Sequence, residues 1–156
     1  MNATDDALRM AHQLLEAYGE TESRPEPNRL DLCVPVDRLL AAARALRAAN
    51  WGYLAAITGL DTGAQTDALE VLYHFCAASA VVTLRVRVPR RAAIVPSLAA
   101  LVPSASLYER ELSEMLGVTV SDSPNTDRLY LPDDWPADLY PLRKDAVLTQ
   151  PASPPG

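Results

Sequence analysis

Prolines near the C-terminus place the strongest constraint on how this chain can fold. Of its 13 prolines, seven lie between Ser121 and the last residue. Proline fixes φ, lacks a backbone N–H and disfavours helical geometry in the preceding residue, so long helices and central strands are not expected there. We therefore predict a domain over residues 1–120, an extended segment over 121–147 and a disordered tail over 148–156.

The proline-rich segment also carries large apolar side chains, which a solvated linker would lack. These residues are Leu129, Tyr130, Leu131, Trp135, Leu139, Tyr140 and Leu142. Because they are spaced along an extended backbone, they need a surface to lie on. That surface belongs either to the chain's own domain or to a partner.

A short helix is predicted just before this segment. Ser106 followed three residues later by Glu109 is a capping-box pattern, and Gly117 suits a left-handed C-terminal cap. Arg110 and Glu114 are four residues apart and can pair on the solvent side. The apolar positions at helical spacing are Tyr108, Leu112, Met115 and Leu116.

The preceding 105 residues read as a mixture of helices and strands. Thr4 is the predicted cap of a first helix that buries Leu8, Ala11, Leu15 and Tyr18, and a connector is expected over 20–28. Further elements are a strand at 30–34, a helix at 36–49, strands at 53–59, 69–76 and 81–88, and a helical turn at 96–101. The last of these strands alternates apolar and polar residues, which is typical of an antiparallel sheet wetted on one face. The predicted fold class is α+β, with two layers, a mixed or antiparallel sheet and helices on one face.

Composition excludes several classes of function. The net charge is −6 and no basic run is present, which argues against nucleic-acid binding. Cys33 and Cys76, in predicted strands, are expected to be reduced core thiols of a cytoplasmic protein. No apolar run is long enough to span a membrane, and the start, with Asp5 and Asp6, does not resemble a signal peptide. Membrane association is therefore expected only through partners.

Reactive groups are scarce. The chain has two histidines, His12 and His74, and neither has further ligands nearby for zinc. Two cysteines cannot hold an iron–sulfur cluster, and six unclustered glycines exclude the dinucleotide fingerprint and the P-loop. We predict no catalytic residue, no metal and no cofactor in this chain.

Five blocks of sequence, in order, resemble one known family. They are Glu109-Arg110-Glu111, Met115-Leu116-Gly117-Val118, Arg128, Leu131-Pro132-Asp133-Asp134-Trp135 and Pro141-Leu142-Arg143-Lys144-Asp145. The pattern resembles the 30-kDa subunit of the proton-pumping NADH:quinone oxidoreductase, respiratory complex I. Related subunits occur in membrane-bound energy-converting nickel–iron hydrogenases. The chain departs from the family at 122–124, where Asp-Ser-Pro replaces the usual Gly-His-Pro.

The resemblance implies a cofactor-free subunit of the peripheral arm, on the cytoplasmic face of the inner membrane. Iron–sulfur clusters and FMN would reside in other subunits. The partner would be the 49-kDa-type protein, or its relative the hydrogenase large subunit. The extended segment over 121–147 would bind this partner. The expected interface residues are Glu109, Arg110, Glu111, Arg128, Leu131, Trp135, Tyr140, Pro141, Leu142, Arg143, Lys144 and Asp145.

Several alternatives stay open from the sequence. Glu109 and Glu111 have natural counter-charges in Arg128, Arg143 and Lys144, but the sequence does not say which pairs form. A basic patch of Arg85, Arg87, Arg90 and Arg91 is either a solvated strand face or a docking site for an acidic partner. The chain is a complex I subunit, the equivalent hydrogenase subunit, or a free-standing α+β binding module.

Overall fold

The computed structural model describes residues 2–149 of the chain. The α-helices are α1 (Ala3–Leu15), α2 (Leu39–Ala48) and α3 (Ala105–Leu116). The strands are β1 (Thr21–Ser23), β2 (Arg29–Cys33), β3 (Tyr53–Asp61), β4 (Ala68–Ala77), β5 (Ala80–Pro89), β6 (Ile94–Pro96) and β7 (Thr119–Ser121). Most of the predicted tail, residues 150–156, lies outside the described residues.

The main sheet has five strands in the order β1-β2-β5-β4-β3. The pairs β1–β2, β5–β4 and β4–β3 are antiparallel, whereas β2–β5 is parallel. A separate parallel pair joins β6 to β7. The α+β class with a mixed sheet is therefore confirmed. The parallel β2–β5 pair arises because β2 is followed by the crossover helix α2 and the β3–β4 hairpin before β5.

All three helices pack into one hydrophobic core with the inner face of the sheet. On β5, Val82, Leu84 and Val86 are fully buried, as the alternation predicted. Leu8 of α1 and Leu39 of α2 are equally buried. Helix α3 contributes Leu112 and Leu116 to the same core, with Tyr108 packed partly buried at its rim. Burial of these side chains is the main stabilising contribution to the fold, because removing apolar surface from water is the dominant favourable term.

The predicted basic patch on the outer face of the sheet does not exist as a cluster of free charges. Arg85 donates to Asp31 at 3.2 Å and to Glu70 at 2.7 Å. Arg90 is buried, and only Arg87 and Arg91 are exposed. Since the two arginines with buried partners are neutralised locally, this face has no concentrated positive charge.

The N-terminal region differs from the prediction in two details. Asn2 caps α1 through its side-chain oxygen, which accepts from the Asp5 N–H at 2.9 Å, so Thr4 is not the cap. The predicted connector over 20–28 contains the short strand β1 (Thr21–Ser23), which pairs with β2. Three residues are too few to show a strand period, so this edge strand could not be recognised.

The two cysteines lie in strands, but the prediction that they are core residues was wrong. Cys33 is exposed and Cys76 is half-buried, and both are free thiols. In β2, Cys33 follows the buried Leu32, so the strand alternation directs its side chain to the outer face. The two thiols contribute little to the core.

The approach to α3 also differs from the prediction. Ser104 occupies the cap position without a side-chain hydrogen bond, so the capping box of Ser106 and Glu109 is not formed. Residues 94–96 form β6, and only the following turn is helical, where Leu101 and Val102 donate to the Leu98 carbonyl. No helix among residues 2–149 is long and apolar enough to cross a membrane.

Candidate partner-binding site

Helix α3 holds the C-terminal segment, by which we mean residues 122–149. The Glu114 carboxylate accepts hydrogen bonds from three consecutive backbone N–H groups. The donors are Leu129 at 3.0 Å, Tyr130 at 2.7 Å and Leu131 at 3.4 Å. A carboxylate with several amide donors fixes a chain strongly, since hydrogen bonds to a charged acceptor are about twice as strong as neutral ones.

Arg110 binds the same stretch from one turn earlier on α3. Its guanidinium donates to the carbonyls of Asp127 and Arg128, both at 2.8 Å. The predicted Arg110–Glu114 ion pair is therefore not formed. Arg110 binds backbone carbonyls and Glu114 binds backbone N–H groups. Together the two side chains hold both the acceptors and the donors of the segment's backbone.

Two further predicted interface residues brace the segment internally. Arg128 donates to the carbonyls of Pro132 and Trp135, both at 2.9 Å. The Trp135 indole N–H donates to the Leu139 carbonyl at 2.7 Å. Proline supplies no N–H, so side-chain donors take over the hydrogen bonding that a regular backbone ladder would provide.

The Tyr140 ring packs against the C-terminal end of α3. Gly117 has φ of +70°, and a Cβ at that position would lie 2.5 Å from the Tyr140 ring. The predicted left-handed cap is confirmed, and the glycine also allows this close approach. The Arg143 guanidinium lies 4.8 Å from the centroid of the Tyr140 ring. Arg143 also donates to the Leu116 carbonyl at 2.8 Å, which places a cation at the negative end of the helix dipole.

Asp61, at the end of β3, is the anchor for the far end of the segment. Its side chain is 2% exposed and forms an ion pair with Arg90, which also binds Asp145 at 2.5 Å. Asp61 accepts the Lys144 N–H at 2.7 Å and the Gly63 N–H at 2.9 Å. The Arg90 guanidinium, helped by these amide donors, holds the pKa of Asp61 far below its usual range.

Glu109 has an internal role. It is 1% exposed and accepts from the Ser97 hydroxyl at 2.7 Å and from the Leu98 N–H at 2.6 Å. It therefore fixes the loop that leads from β6 into α3. The Tyr73 hydroxyl is buried and has no hydrogen-bond partner among residues 2–149. Its burial, and to a lesser extent the charge of Glu109, raises the pKa of Tyr73.

The counter-charge pairs that the sequence suggested are not present among residues 2–149. Neither Glu109 nor Glu111 pairs with Arg128, Arg143 or Lys144. The arginines bind backbone carbonyls instead, and Lys144 contributes only its N–H. Sequence reasoning assigned Arg90 to a basic patch, and it missed that Arg90 and Asp61 together form the anchor for Asp145.

The remaining predicted interface residues face outward to differing degrees. Leu142 is 59% exposed, and Lys144 is exposed as well. Leu131 and Pro141 are half-buried. The half-buried Glu111 makes no hydrogen bond or ion pair within the described part of the chain. That these twelve residues bind a partner stays a prediction; what the structure establishes is which of them hold the segment and which remain available.

The two histidines have structural hydrogen bonds. His74 lies 3.1 Å from the Thr83 hydroxyl and 3.2 Å from that of Thr58, and burial lowers the pKa of His74. His12 contacts Glu22 at 2.6 Å. No group of three or more potential ligands among residues 2–149 is placed to hold a metal ion. Whether this chain lacks a cofactor stays a prediction.

Comparison with known proteins gives a family and several relatives. Residues 32–152 match the family model described as the respiratory-chain NADH dehydrogenase 30-kDa subunit. An NADH-quinone oxidoreductase subunit of Moorella thermoacetica is 33% identical over 136 residues, covering 85% of this chain and 90% of the relative. Hydrogenase-4 component G of Escherichia coli is 31% identical, covering 81% of this chain but 23% of that protein.

Solved structures share the fold. A chain from the membrane-bound sulfane sulfur reductase, an archaeal respiratory membrane complex, matches 92% of this chain and 86% of its own length. Its TM-score is 0.78 at 25% identity. The trypsin-resistant fragment of Nqo5, residues 1–134, matches with a TM-score of 0.62 over 78% of this chain and 97% of the fragment, at 20% identity.

Proposed function

Because the chain belongs to the 30-kDa subunit family of the respiratory-chain NADH dehydrogenases, we propose that it is a non-catalytic structural subunit of a proton-pumping NADH:quinone oxidoreductase. In this proposal it lies in the peripheral arm beside the 49-kDa-type subunit and supports the quinone-reducing module. The arm would stand on the cytoplasmic face of the membrane. FMN and the iron–sulfur clusters would be held by other subunits.

The family match, which covers residues 32–152, is the observation that carries this proposal. Relatives named as NADH-quinone oxidoreductase subunits are matched over most of their own length. This chain spans 90% of the Moorella thermoacetica relative and 75% of that from Roseiflexus castenholzii, which is 36% identical. A subunit that matches its relatives over most of their length is expected to occupy the same place in its complex.

The side-chain contacts support a structural rather than a chemical role. Several charged groups at the site, namely Arg110, Glu114 and Arg143, bind the chain's own backbone. A catalytic acid, base or nucleophile needs access to a substrate and a tuned pKa. The large pKa shift of Asp61 comes with a buried ion pair to Arg90, which is the signature of an anchor.

A hydrogenase-type complex is the second candidate, favoured by two relatives from Escherichia coli. Hydrogenase-4 component G and formate hydrogenlyase subunit 5 are 31% and 33% identical to this chain, which spans only 23% and 22% of their lengths. A domain like this one is thus covalently joined to a much longer polypeptide in those proteins. Such a fusion keeps the domain next to the rest of the polypeptide. It therefore favours a function in contact with another protein, whichever complex is involved.

A free-standing binding module is the third candidate, favoured by the contacts of the C-terminal segment with its own domain. Glu114 and Asp61 hold two separate parts of the segment. The chain's own domain therefore supplies contacts that hold the segment. A protein that acts without a partner complex would need such contacts. The contacts leave Leu142 and Tyr130 largely exposed, at 59% and 63%, and a partner would cover them.

Affinity purification from native membranes tests these candidates. The chain is produced at its natural level with a tag at its N-terminus, and the proteins that co-purify are identified by mass spectrometry. We expect a 49-kDa-type subunit together with NADH-binding subunits. Co-purification of a nickel-site large subunit would select the hydrogenase candidate instead. Recovery of the tagged chain alone would contradict both complexes and leave the binding module.

A further inference from the structure

We propose that the free edge of β3, together with the groove beside it, binds an extended segment of the neighbouring subunit as an added strand with a basic side chain directed at Glu111. This inference rests on the proposed function, because it says how a partner subunit is held. It assigns the partner contact to the sheet edge and α3, and not to the C-terminal segment alone.

The first observation is that one long side of β3 has no backbone partner. The strand is last in the sheet order, and nine residues, Tyr53–Asp61, pair only with β4. Within residues 2–149, no other backbone group or side chain hydrogen-bonds to the main chain of this strand. Unpaired N–H and C=O groups in a row form a template for another strand.

The second observation concerns the devices that usually prevent such pairing. A register shift between Leu54 and Ala56 interrupts the β3–β4 ladder near the start of the strand, but residues 56–60 beyond it carry no such device. Proteins protect free edges with short strands, lysines, prolines or covering elements. The opposite edge of the sheet is the three-residue strand β1, which carries Glu22. By contrast, β3 has no proline and no charged residue before Asp61, and Tyr53 and Leu60 are 66% and 42% exposed.

The third observation is a groove that runs along the middle of this edge. It encloses about 120 Å³ between Ile57, Thr58 and Gly59 of the strand and the side chains of α3 and the C-terminal segment. Its apolar wall includes Met115 and Leu142. An added strand presents alternate side chains to the same side, so every second residue of an incoming segment would reach this wall.

The charge of the groove indicates what the segment carries. Glu111 lines it and has no hydrogen-bond or ion-pair partner in the part of the chain that the structure describes. The neighbouring charged residues of α3, Glu109, Arg110 and Glu114, are all engaged within the chain. An unpaired carboxylate beside apolar side chains favours a Lys or Arg of the partner, and its burial on binding requires such a counter-charge.

The test measures binding in the native complex with variants of the tagged chain. Glu111→Lys reverses the groove charge, and Glu26→Lys makes the same change on an exposed carboxylate of the β1–β2 connection, at the opposite edge of the sheet. We expect the Glu111 variant to recover about tenfold less of the neighbouring subunit than wild type, and the control to recover the wild-type amount. Equal recovery by both variants would overturn the inference while leaving the proposed function intact. Failure of wild type to co-purify any subunit would instead contradict the proposed function.

Hydrogen exchange identifies the occupant as a strand. Backbone amides of residues 53–61 are compared between the isolated chain and the purified complex, with β4, already paired on both sides, as the internal reference. We expect a marked gain in protection of β3 amides on assembly, with β4 amides unchanged. No gain in β3 would overturn the inference, as would dimerisation of the isolated chain that protects β3, since the occupant would then be a second copy.

Discussion

At the residue scale, the buried Asp61 carboxylate determines how the C-terminal segment is anchored. It receives Arg90 from the end of β5 and the Lys144 N–H from the segment, and so joins three parts of the chain far apart in sequence. A buried ion pair contributes little beyond a hydrophobic replacement, but breaking it is costly because one charge is left without its partner. The anchor therefore fixes geometry more than it adds stability.

We predict that Asp61→Asn lowers the free energy of unfolding by about 3 kcal/mol at pH 7, because Arg90 would stay buried without its principal counter-charge. Urea unfolding measures the change. The matched control is Asp67→Asn, since Asp67 lies in the same β3–β4 loop and its side chain has no hydrogen bond or ion pair among the described residues. The Asp67 carbonyl, which accepts the Arg90 N–H, is kept in this variant. A similar loss in both variants would contradict the role given to Asp61.

The depressed pKa of Asp61 predicts a pH dependence. Because this carboxyl binds a proton less readily in the folded state, its contribution is fully present above the unfolded pKa of about 4 and is lost as pH falls toward the folded pKa. The stability difference between wild type and Asp61→Asn should therefore shrink as pH is lowered from 5 to about 2. Urea unfolding at several pH values checks this, and a difference that stays constant over that range would be inconsistent with an ionised Asp61.

At the element scale, α3 and the C-terminal segment behave as one unit because Arg110 and Glu114 bind the segment's backbone. The sequence predicted the helix and its Gly117 cap, and the alternation on β5 predicted the buried face of the sheet. It could not predict β1, β6 and β7, which have three residues each and show no period. Nor could it predict that Arg110 and Glu114 bind the segment's backbone. Every non-proline residue carries the same backbone N–H and carbonyl groups, so such contacts leave no pattern in the sequence.

We predict that Glu114→Ala releases the segment locally without unfolding the domain. Three N–H groups lose a charged acceptor, and a loss of about 2 kcal/mol in local stability would raise the rate of proteolytic cleavage near residues 126–131 about 30-fold. Limited proteolysis followed by mass spectrometry locates the cuts. Glu111→Ala, on the same helix but without a partner in the described chain, should leave the cleavage pattern as in wild type.

Gly117→Ala tests the contact between Gly117 and the Tyr140 ring. The left-handed backbone costs a non-glycine residue roughly 1–2 kcal/mol, and the added Cβ must displace the Tyr140 ring. We expect a loss of about 2 kcal/mol in the free energy of unfolding together with altered fluorescence of Tyr140 and Trp135. The control is Ser113→Ala at the previous turn, which loses a single hydrogen bond to the Val118 carbonyl and should cost about 1 kcal/mol. Equal stability of the glycine variant and wild type would contradict the contact.

At the scale of the whole molecule, the residues that carry the family resemblance fall into two roles. Many of them, including Arg110, Arg128 and Arg143, hold the chain's own segment in place. Others, with the largely exposed Leu142 and the unpaired, half-buried Glu111 among them, make no side-chain hydrogen bond or ion pair within residues 2–149, and we expect them to contact a partner. Under the proposed function, this division would let the domain hold its own segment while other side chains bind the neighbouring subunit.

A purely structural role for the chain is tested by measuring assembly and activity separately in membranes that contain Glu111→Lys in place of the wild-type chain. The amount of assembled complex is read by immunoblot of the 49-kDa-type subunit, and NADH-dependent quinone reduction is measured in the same membranes. If this chain supports the complex without taking part in its chemistry, the assembled amount falls by about tenfold and activity per assembled complex stays at the wild-type value. A full amount of assembled complex with reduced activity would contradict a structural role, since the residue would then act in the reaction itself.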